Sequence, residues 1–275
     1  MSAACAPLVD ALDPSAYGPK AVQLGAAIRA GLPVPDGFAI EYSVVGAVGA
    51  GDAEATCGLA AELTVRCGDW PYWAVRSSAV GEDSAGASFA GIHKSILGVS
   101  GVPDILDAVR EVHASASESG AVAYRDRMGL DTALHIGVVV QRLVDSDVGG
   151  VMFTRNPITG ADERVIEASW GLGEVVVSGM VTPDRYVLDA LGTLLEHQVG
   201  EKDIAIRRVP AGGTTEQPVP SEHVYAPCLA EPDLAALHAL ARQCDSAFGA
   251  TDHDIEFAIK AGCLSLLQRR PITSA

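Results

Sequence analysis

No Cys-x-x-Cys pair occurs in this 275-residue sequence. The six cysteines, Cys5, Cys57, Cys67, Cys228, Cys244 and Cys263, are scattered, and none stands at metal-ligand spacing with the seven histidines. Cysteines dispersed in this way read as packing residues of a reducing compartment. No apolar run approaches the roughly 18–20 residues of a membrane span. The N-terminal Met1-Ser2-Ala3-Ala4-Cys5 lacks the basic and apolar regions of a signal peptide. The expectation is a cytoplasmic protein with no membrane partner. Positive charge is also scarce: 19 Lys and Arg face 35 Asp and Glu, for a net charge of −16. Binding along nucleic acid needs clustered cations, so no nucleic-acid partner is expected, although one nucleotide in a locally basic cleft is compatible with the charge. There is no Walker A loop, no third glycine after Gly171-x-Gly173, and no Gly-x-Ser-x-Gly elbow. Internal repeats and low-complexity tails are missing too.

What is present is a globular composition, 48% hydrophobic and 20% charged, enough for one sizeable core or two lobes. Ala21, Leu24 and Ile28 fall at helical spacing that stops at Gly31, and the turn Tyr17-Gly18-Pro19-Lys20 delivers Lys20 to that helix's first turn. Trp73 to Ser78 reads as a strand, followed by a loop of small residues. A helix is expected over 103–127, interrupted near Gly120, and another from Pro232 to Phe248. His135–Val144 and Gly150–Thr154 read as a strand pair around Asp145-Ser146-Asp147, with further strands at Arg164–Ala168 and Arg185–Leu188. Residues 206–222, rich in proline and glycine, read as a surface loop or joint. Strands mixed with helices and several antiparallel hairpins imply an α+β fold of two lobes.

The last segment, "DIEFAIKAGCLSLLQRRP", reads as a hairpin turning at Ala261-Gly262. Asp254 and Glu256 share one strand face, as do Gln268 and Arg270. A two-residue loop would set Glu256 opposite Leu267 and send the two pairs to opposite faces. A three-residue loop with Gly262 left-handed would keep all four together, and that odd loop is the expectation. Converged, an acid and an amide oxygen suit Mg²⁺ held between protein and nucleotide phosphates, and Arg270 suits a phosphate oxygen. An ordinary exposed face with an Asp/Arg cross-strand pair accounts for the same pattern, and on these residues alone it is the simpler account. Arg76-Ser77-Ser78, before a glycine- and hydroxyl-rich loop, suggests an anion site, for which a plain surface loop is the alternative.

Five segments in order carry a stronger signal: "GPKAVQLGAAIRAGLPVPDGF", "VRSSAVGEDSAGASFAGIHKSILGV", "VVVQRLVDSDVGGVMFTRNPITG", "IEASWGLGEVVVSGMVTPDRYVLD" and "DIEFAIKAGCLSLLQRRPIT". Together they resemble the N-terminal ATP-binding domain of the phosphoenolpyruvate synthase and pyruvate phosphate dikinase family, a module also used by rifampin phosphotransferases. The resemblance runs from about Tyr17 to Thr273. It implies an ATP-grasp-type domain over 1–275, two α+β lobes with mixed and antiparallel sheets holding ATP between them. By the same resemblance Lys20 and Arg76 would bind phosphates, Arg76 on charge developing at the transferred group. The loop around Ser88 to Gly91 would cover the phosphates, and Ser95 stands where the family usually has threonine. Gln141 to Val144 would form the hinge whose backbone reads adenine, through Gln141 and Leu143. Glu256 and Gln268 would hold Mg²⁺, Arg270 would grip phosphate, and Asp254 would be the acid near the reacting centre, with Glu167 a further candidate. Gly18-Pro19-Lys20 stands where the family commonly has Gly-Gly-Lys, Ile92 where glutamine is frequent, and Arg269 where serine is common.

Enzymes of the resembled family continue into a swivelling domain with a phosphorylated histidine and a substrate domain, and neither is expected in this chain. The implied function is an ATP- and Mg²⁺-dependent phosphotransferase component that phosphorylates a histidine on a partner domain or subunit. A stand-alone kinase acting on a small molecule, or a nucleotide-binding module that senses ATP without turnover, are the alternatives.

Overall fold

The computed structural model describes residues 4–79, 94–115, 136–249 and 252–271. Ser88, Gly91 and the rest of the small-residue loop lie outside the described residues, as does the segment around Gly120. The chain forms two compact units. The first comprises residues 1–26, 36–143 and 209–213, and the second 27–35, 144–208 and 214–275.

In the first unit the elements are β1 (Cys5–Pro7), α1 (Pro14–Arg29), β2 (Gly37–Ile40), α2 (Tyr42–Gly49), α3 (Ala53–Cys67), β3 (Trp73–Ala79), β4 (Ser95–Val99), α4 (Gly101–Ser115) and β5 (Ile136–Arg142). The last three residues of α1 group with the second unit. The strands form an antiparallel sheet in the order β1-β2-β5-β3-β4. Alternation decides its two faces. Trp73, Val75, Val138, Val140 and Ile40 point to a core completed by Val48, Leu59, Leu63, Ile105, Val109 and Val112 of the three helices α2 to α4. In α4 those residues recur at the expected 3.6-residue period, and the helix starts at Gly101, two residues before the expected Pro103.

In the second unit β6 (Val148–Phe153), β7 (Arg164–Trp170), β8 (Asp184–Leu188), β9 (Leu194–Gln198), β12 (His253–Lys260) and β13 (Cys263–Pro271) form an antiparallel sheet ordered β13-β12-β6-β7-β8-β9. Between them come α5 (Glu174–Val177), the two-stranded β10 (Ile204–Arg208) and β11 (Thr214–Pro218), α6 (Ser221–Val224) and α7 (Glu231–Phe248). One sheet face carries Ile255, Phe257, Met152, Ile166 and Tyr186, all buried. Helix α7 covers that face, with Leu237, Leu240 and Cys244 buried beneath it. A fully buried ion pair, Lys202 with Asp184, ties the segment after β9 to β8. Burial pushes the Asp184 carboxyl up, but Lys202 and the N–H groups of Gly200 and Cys228 outweigh it and hold it below the usual range.

The α+β class with antiparallel pairing is as expected. Three local expectations are corrected. β5 and β6 do not pair: β5 lies between β2 and β3, and β6 between β12 and β7, in different sheets. Each pairs with two neighbours and is buried along most of its length on both faces, so its apolar run does not name its partners. Residues 206–222 are not an irregular loop, since β10, β11 and α6 occupy most of them; β11 is exposed throughout, so it has no apolar alternation to betray it. The third correction concerns the terminal hairpin.

Candidate functional site

The β12–β13 hairpin closes with an even loop. Lys260 pairs with Cys263 across Ala261 and Gly262, whose φ values of 49° and 75° are the two left-handed positions of a type I′ turn. The ladder then runs regularly to Phe257 opposite Leu266. There the register shifts, and Glu256 faces Gln268 while Asp254 faces Arg270. Leu267 is the additional residue of a β-bulge. The odd loop is therefore wrong, and the parity it was meant to supply comes from the bulge. Since directly opposed residues share a face, all four polar side chains lie on the side away from α7.

On that face Arg270 donates from both Nε and Nη2 to Asp254 Oδ2, each at 2.7 Å. Burial pushes the Asp254 carboxyl above its usual range although Arg270 opposes this. Glu256 is half-buried and Gln268 is buried. The same row continues from Glu256 through Val151 of β6 to Glu167 of β7 and Arg185 of β8. Glu167 thus lies two strands from Glu256, about 10 Å away by ordinary strand spacing. Arg185 pairs with Glu196 at 2.9 Å.

Glycine brings one more element to this face. A Cβ on Gly149 would lie 2.4 Å from the backbone nitrogen of Gly173, so its absence lets the Gly171–Glu174 loop rest on β6. Glu174 there is half-buried, and burial raises its carboxyl. Arg185 and Glu174 went unnoticed in the sequence. Strand alternation against Glu167 could have indicated Arg185, whereas no periodicity marks Glu174.

In the first unit Arg76, Ser78 and Ala74 of β3 point away from the α2–α4 core. Ser95 on β4 opposes Arg76, and Gln141 on β5 opposes Ala74, so Arg76, Ser95 and Gln141 share that face. The start of α1 is docked on it. Gly18, at φ 79° and ψ 162°, breaks the helix, and a Cβ there would lie 1.9 Å from the Ser78 carbonyl oxygen. Pro19 then opens the helix, where its fixed φ fits and its missing N–H costs nothing. Ser78 Oγ accepts from the Ala21 N–H at 3.2 Å. Lys20 and Arg76 are 4% and 8% exposed. Leu143 follows β5, and its N–H donates to the Tyr72 carbonyl at 3.0 Å.

Among the described residues no three His, Cys, Asp or Glu side chains gather as a metal cluster. One carboxylate opposite one amide oxygen, as in Glu256 and Gln268, is nevertheless a hard-oxygen pair of the kind that suits Mg²⁺ when phosphates and water complete the shell. No described helix is long and apolar enough to cross a membrane.

Residues 53–275 match the family model described as pyruvate phosphate dikinase, AMP/ATP-binding domain. The probable phosphoenolpyruvate synthase of Methanothermobacter thermautotrophicus is 45% identical over 205 residues, covering 74% of this chain and 30% of that protein. The prodigiosin synthesizing transferase PigC of Serratia marcescens is 38% identical, covering 96% and 32% respectively. The rifampicin phosphotransferase of a Streptomyces species is 34% identical, covering 97% and 35%. The chain thus spans about a third of the length of each of these three relatives.

Proposed function

The chain belongs to the pyruvate phosphate dikinase AMP/ATP-binding domain family, and from that premise we propose that it binds ATP with Mg²⁺ and passes a phosphoryl group to a histidine on a partner domain or subunit. The observation that carries this reading is the polar face of β12 and β13, where Asp254 meets Arg270 and Glu256 meets Gln268. Phosphoryl transfer is chiefly positioning and neutralisation of spreading charge, and this chain supplies groups for both. Lys20 and Arg76 bind phosphate oxygens, Arg76 on the group being transferred. Arg270 grips a second phosphate, and Asp254 fixes the guanidinium by accepting from two of its nitrogens at one oxygen. Mg²⁺, when bound by Glu256 and Gln268, supplies further neutralisation of phosphate charge. Ser95 and, in the loop beyond the described residues, Ser88 and Gly91 donate to the phosphates. Gln141 and Leu143 face adenine, and because the Leu143 N–H is given to Tyr72, its carbonyl is the group that accepts from the adenine amine. Glu167 and Glu174 extend the acidic side of the same sheet face. All of this takes place in a single ATP-grasp-type domain.

A small-molecule acceptor is the second reading, favoured by the similarity to a rifampicin phosphotransferase. Incubation with Mg²⁺-ATP, with and without histidine-bearing partner domains, followed by phosphorus NMR, separates the two. AMP and inorganic phosphate formed only with the partner, the β-phosphoryl going to histidine and the γ-phosphoryl to water, support histidine phosphorylation. ADP with a phosphorylated small molecule supports direct transfer, and bound ATP with no product under any condition leaves a sensor module. Glu256→Ala is expected to abolish metal-dependent turnover with the fold retained; full residual activity removes Glu256 as a ligand.

A further inference from the structure

Two closures of the terminal hairpin satisfy its polar pattern equally well. In the one observed, a two-residue loop is combined with a bulge at Leu267. In the competing one, a three-residue loop of Ala261, Gly262 and Cys263 would pair Lys260 with Leu264 and reach the Glu256–Gln268 pair with no bulge. The competing closure would exchange Leu266 and Leu267 between faces, one leucine for another, but it would also set Ser265 opposite Ile259 on the core face and turn Leu264 to the polar face, so burial favours the observed closure by about the half-buried side chain of Leu264, roughly 1 kcal/mol. The observed turn requires Ala261 to hold a left-handed φ of 49° that suits Gly or Asn, and a three-residue loop would move that demand to its last residue, Cys263.

Asp147, on the approach to β6, holds the left-handed turn in place. Its Oδ2 accepts from the Ala261 N–H at 2.8 Å, and its Oδ1 accepts from Lys260 Nζ at 2.7 Å. Lys260 and then the Ala261 N–H hold its carboxyl below the usual range. The Asp147 N–H donates to the Ile259 carbonyl at 2.9 Å, and its own carbonyl accepts from the Gly171 N–H at 2.8 Å. Ser146 Oγ also donates to the Gly171 carbonyl, at 2.9 Å. One short segment thus grips the hairpin turn and the glycine loop at once. The Lys260 pair is half exposed on both sides and screened by water, so the bond to the Ala261 N–H carries most of the effect.

We infer that Asp147 is a positioning residue: by capping the left-handed turn at Ala261 it stabilises the bulged register, in which the kink of β13 falls beside Glu256 and Gln268 and sets the aim of their oxygens. The inference rests on the proposed Mg²⁺ role of that pair, and its test has one readout independent of it. In the full chain, amide hydrogen exchange at 256–268 is compared for wild type, Asp147→Ala, Asp147→Asn and Asp147→Ala with Ala261→Gly, and ATP binding is measured by calorimetry with and without MgCl₂.

Asp147→Ala is expected to lose exchange protection at 264–267 and to weaken the Mg²⁺ dependence about tenfold, with metal-free ATP affinity within about threefold of wild type, since a bulge re-aims neighbouring side chains without unpairing the strands. Asp147→Asn keeps an acceptor for the Ala261 N–H and should remain close to wild type. Ala261→Gly removes the need for the cap and, added to Asp147→Ala, should restore most of the Mg²⁺ dependence. Unchanged protection at 264–267, an equal loss of affinity with and without Mg²⁺, or no rescue by Ala261→Gly would each overturn the inference. So would a double variant that fails to fold, because glycine tolerates the turn unaided. A wild-type chain without Mg²⁺-dependent ATP binding refutes the functional reading instead, and the exchange comparison then decides the role of Asp147.

Discussion

Deleting one residue from a strand ordinarily moves every following side chain to the wrong face. Deletion of Leu267 should not. Without it the ladder runs unbroken from Lys260 opposite Cys263 to Phe257 opposite Leu266, and the next pairs are still Glu256 with Gln268 and Asp254 with Arg270. Strand β13 is at the edge of its sheet, so no third strand is thrown out of register. The loss is the half-buried side chain of Leu267, about 1–2 kcal/mol, together with the aim that the bulge gives the metal pair. Deletion of Arg269 is the contrasting perturbation. It leaves Glu256 opposite Gln268 but turns Arg270 to the back face, opposite Ile255, and sets Pro271 against Asp254. Its cost in stability is about 3 kcal/mol, because Asp254, whose side chain is only 11% exposed, loses the guanidinium that pairs with it. Its cost in ATP affinity is that of one charge-assisted phosphate contact, about 2 kcal/mol or roughly thirtyfold in Kd. Urea denaturation and calorimetric ATP titration measure both. The deletion of Leu267 should keep metal-free ATP affinity within about threefold while weakening the Mg²⁺ dependence, and that of Arg269 should do the reverse. Equal loss of ATP affinity in both variants would refute the assignment of parity to the bulge.

Gly18→Ala would place a Cβ 1.9 Å from the Ser78 carbonyl at a backbone conformation only glycine adopts freely, and should cost roughly 2–4 kcal/mol by chemical denaturation and displace Lys20. His253 is fully buried, and burial, then Arg269, push its imidazole from 6.5 down to about 4. The folded state therefore refuses a proton that the unfolded chain accepts: stability is intact above pH 6.5 and falls as pH drops towards 4, by about 3 kcal/mol. Denaturation midpoints across that range should flatten in His253→Gln, whose amide oxygen can still accept from Arg269. Asp254→Asn should raise stability at pH 7, since burial lifts that carboxyl and its ionisation costs the fold. The gain should be complete above the elevated folded value and disappear as pH falls from there to about 4, while phosphoryl transfer is lost at every pH.

Elements whose periodicity matched their burial were legible in the sequence. The stripe Ile105, Val109 and Val112 announced α4, and alternation announced β3, because each has one clear apolar face. Helices α2 and α3 have weak stripes: α2 is Val- and Gly-rich on all sides, and α3 mixes small residues with a few buried ones, so only the packed structure shows what they cover. The fully exposed β9 and β11 carry no burial signal at all. For β5 and β6 the signal was real and its meaning ambiguous. A strand buried on both faces reads as one apolar run whichever neighbours it has, so apolar runs close in sequence suggested each other as partners when each had two elsewhere.

The site shows the same limit more sharply. That Asp254, Glu256, Gln268 and Arg270 alternate with apolar residues is local information, and it was readable. Whether the two strands bring them to one face depends on a single bit, the parity of everything between Glu256 and Gln268. An odd loop without a bulge and an even loop with one give that bit the same value, so the correct face followed from the wrong loop. The odd loop spares Ala261 a left-handed backbone only by moving that demand to Cys263, and it would turn Leu264 outward and Ser265 to the core face. The observed turn is also held by a carboxylate 113 residues before Lys260 in the chain, brought to the turn by the packing of β6 against β12. No window along the sequence contains both. The aim of the proposed metal pair is thus a tertiary property even though its donors are a local one. Substitutions at Asp147 should therefore disturb metal dependence more than changes of similar size on the exposed faces of the same hairpin.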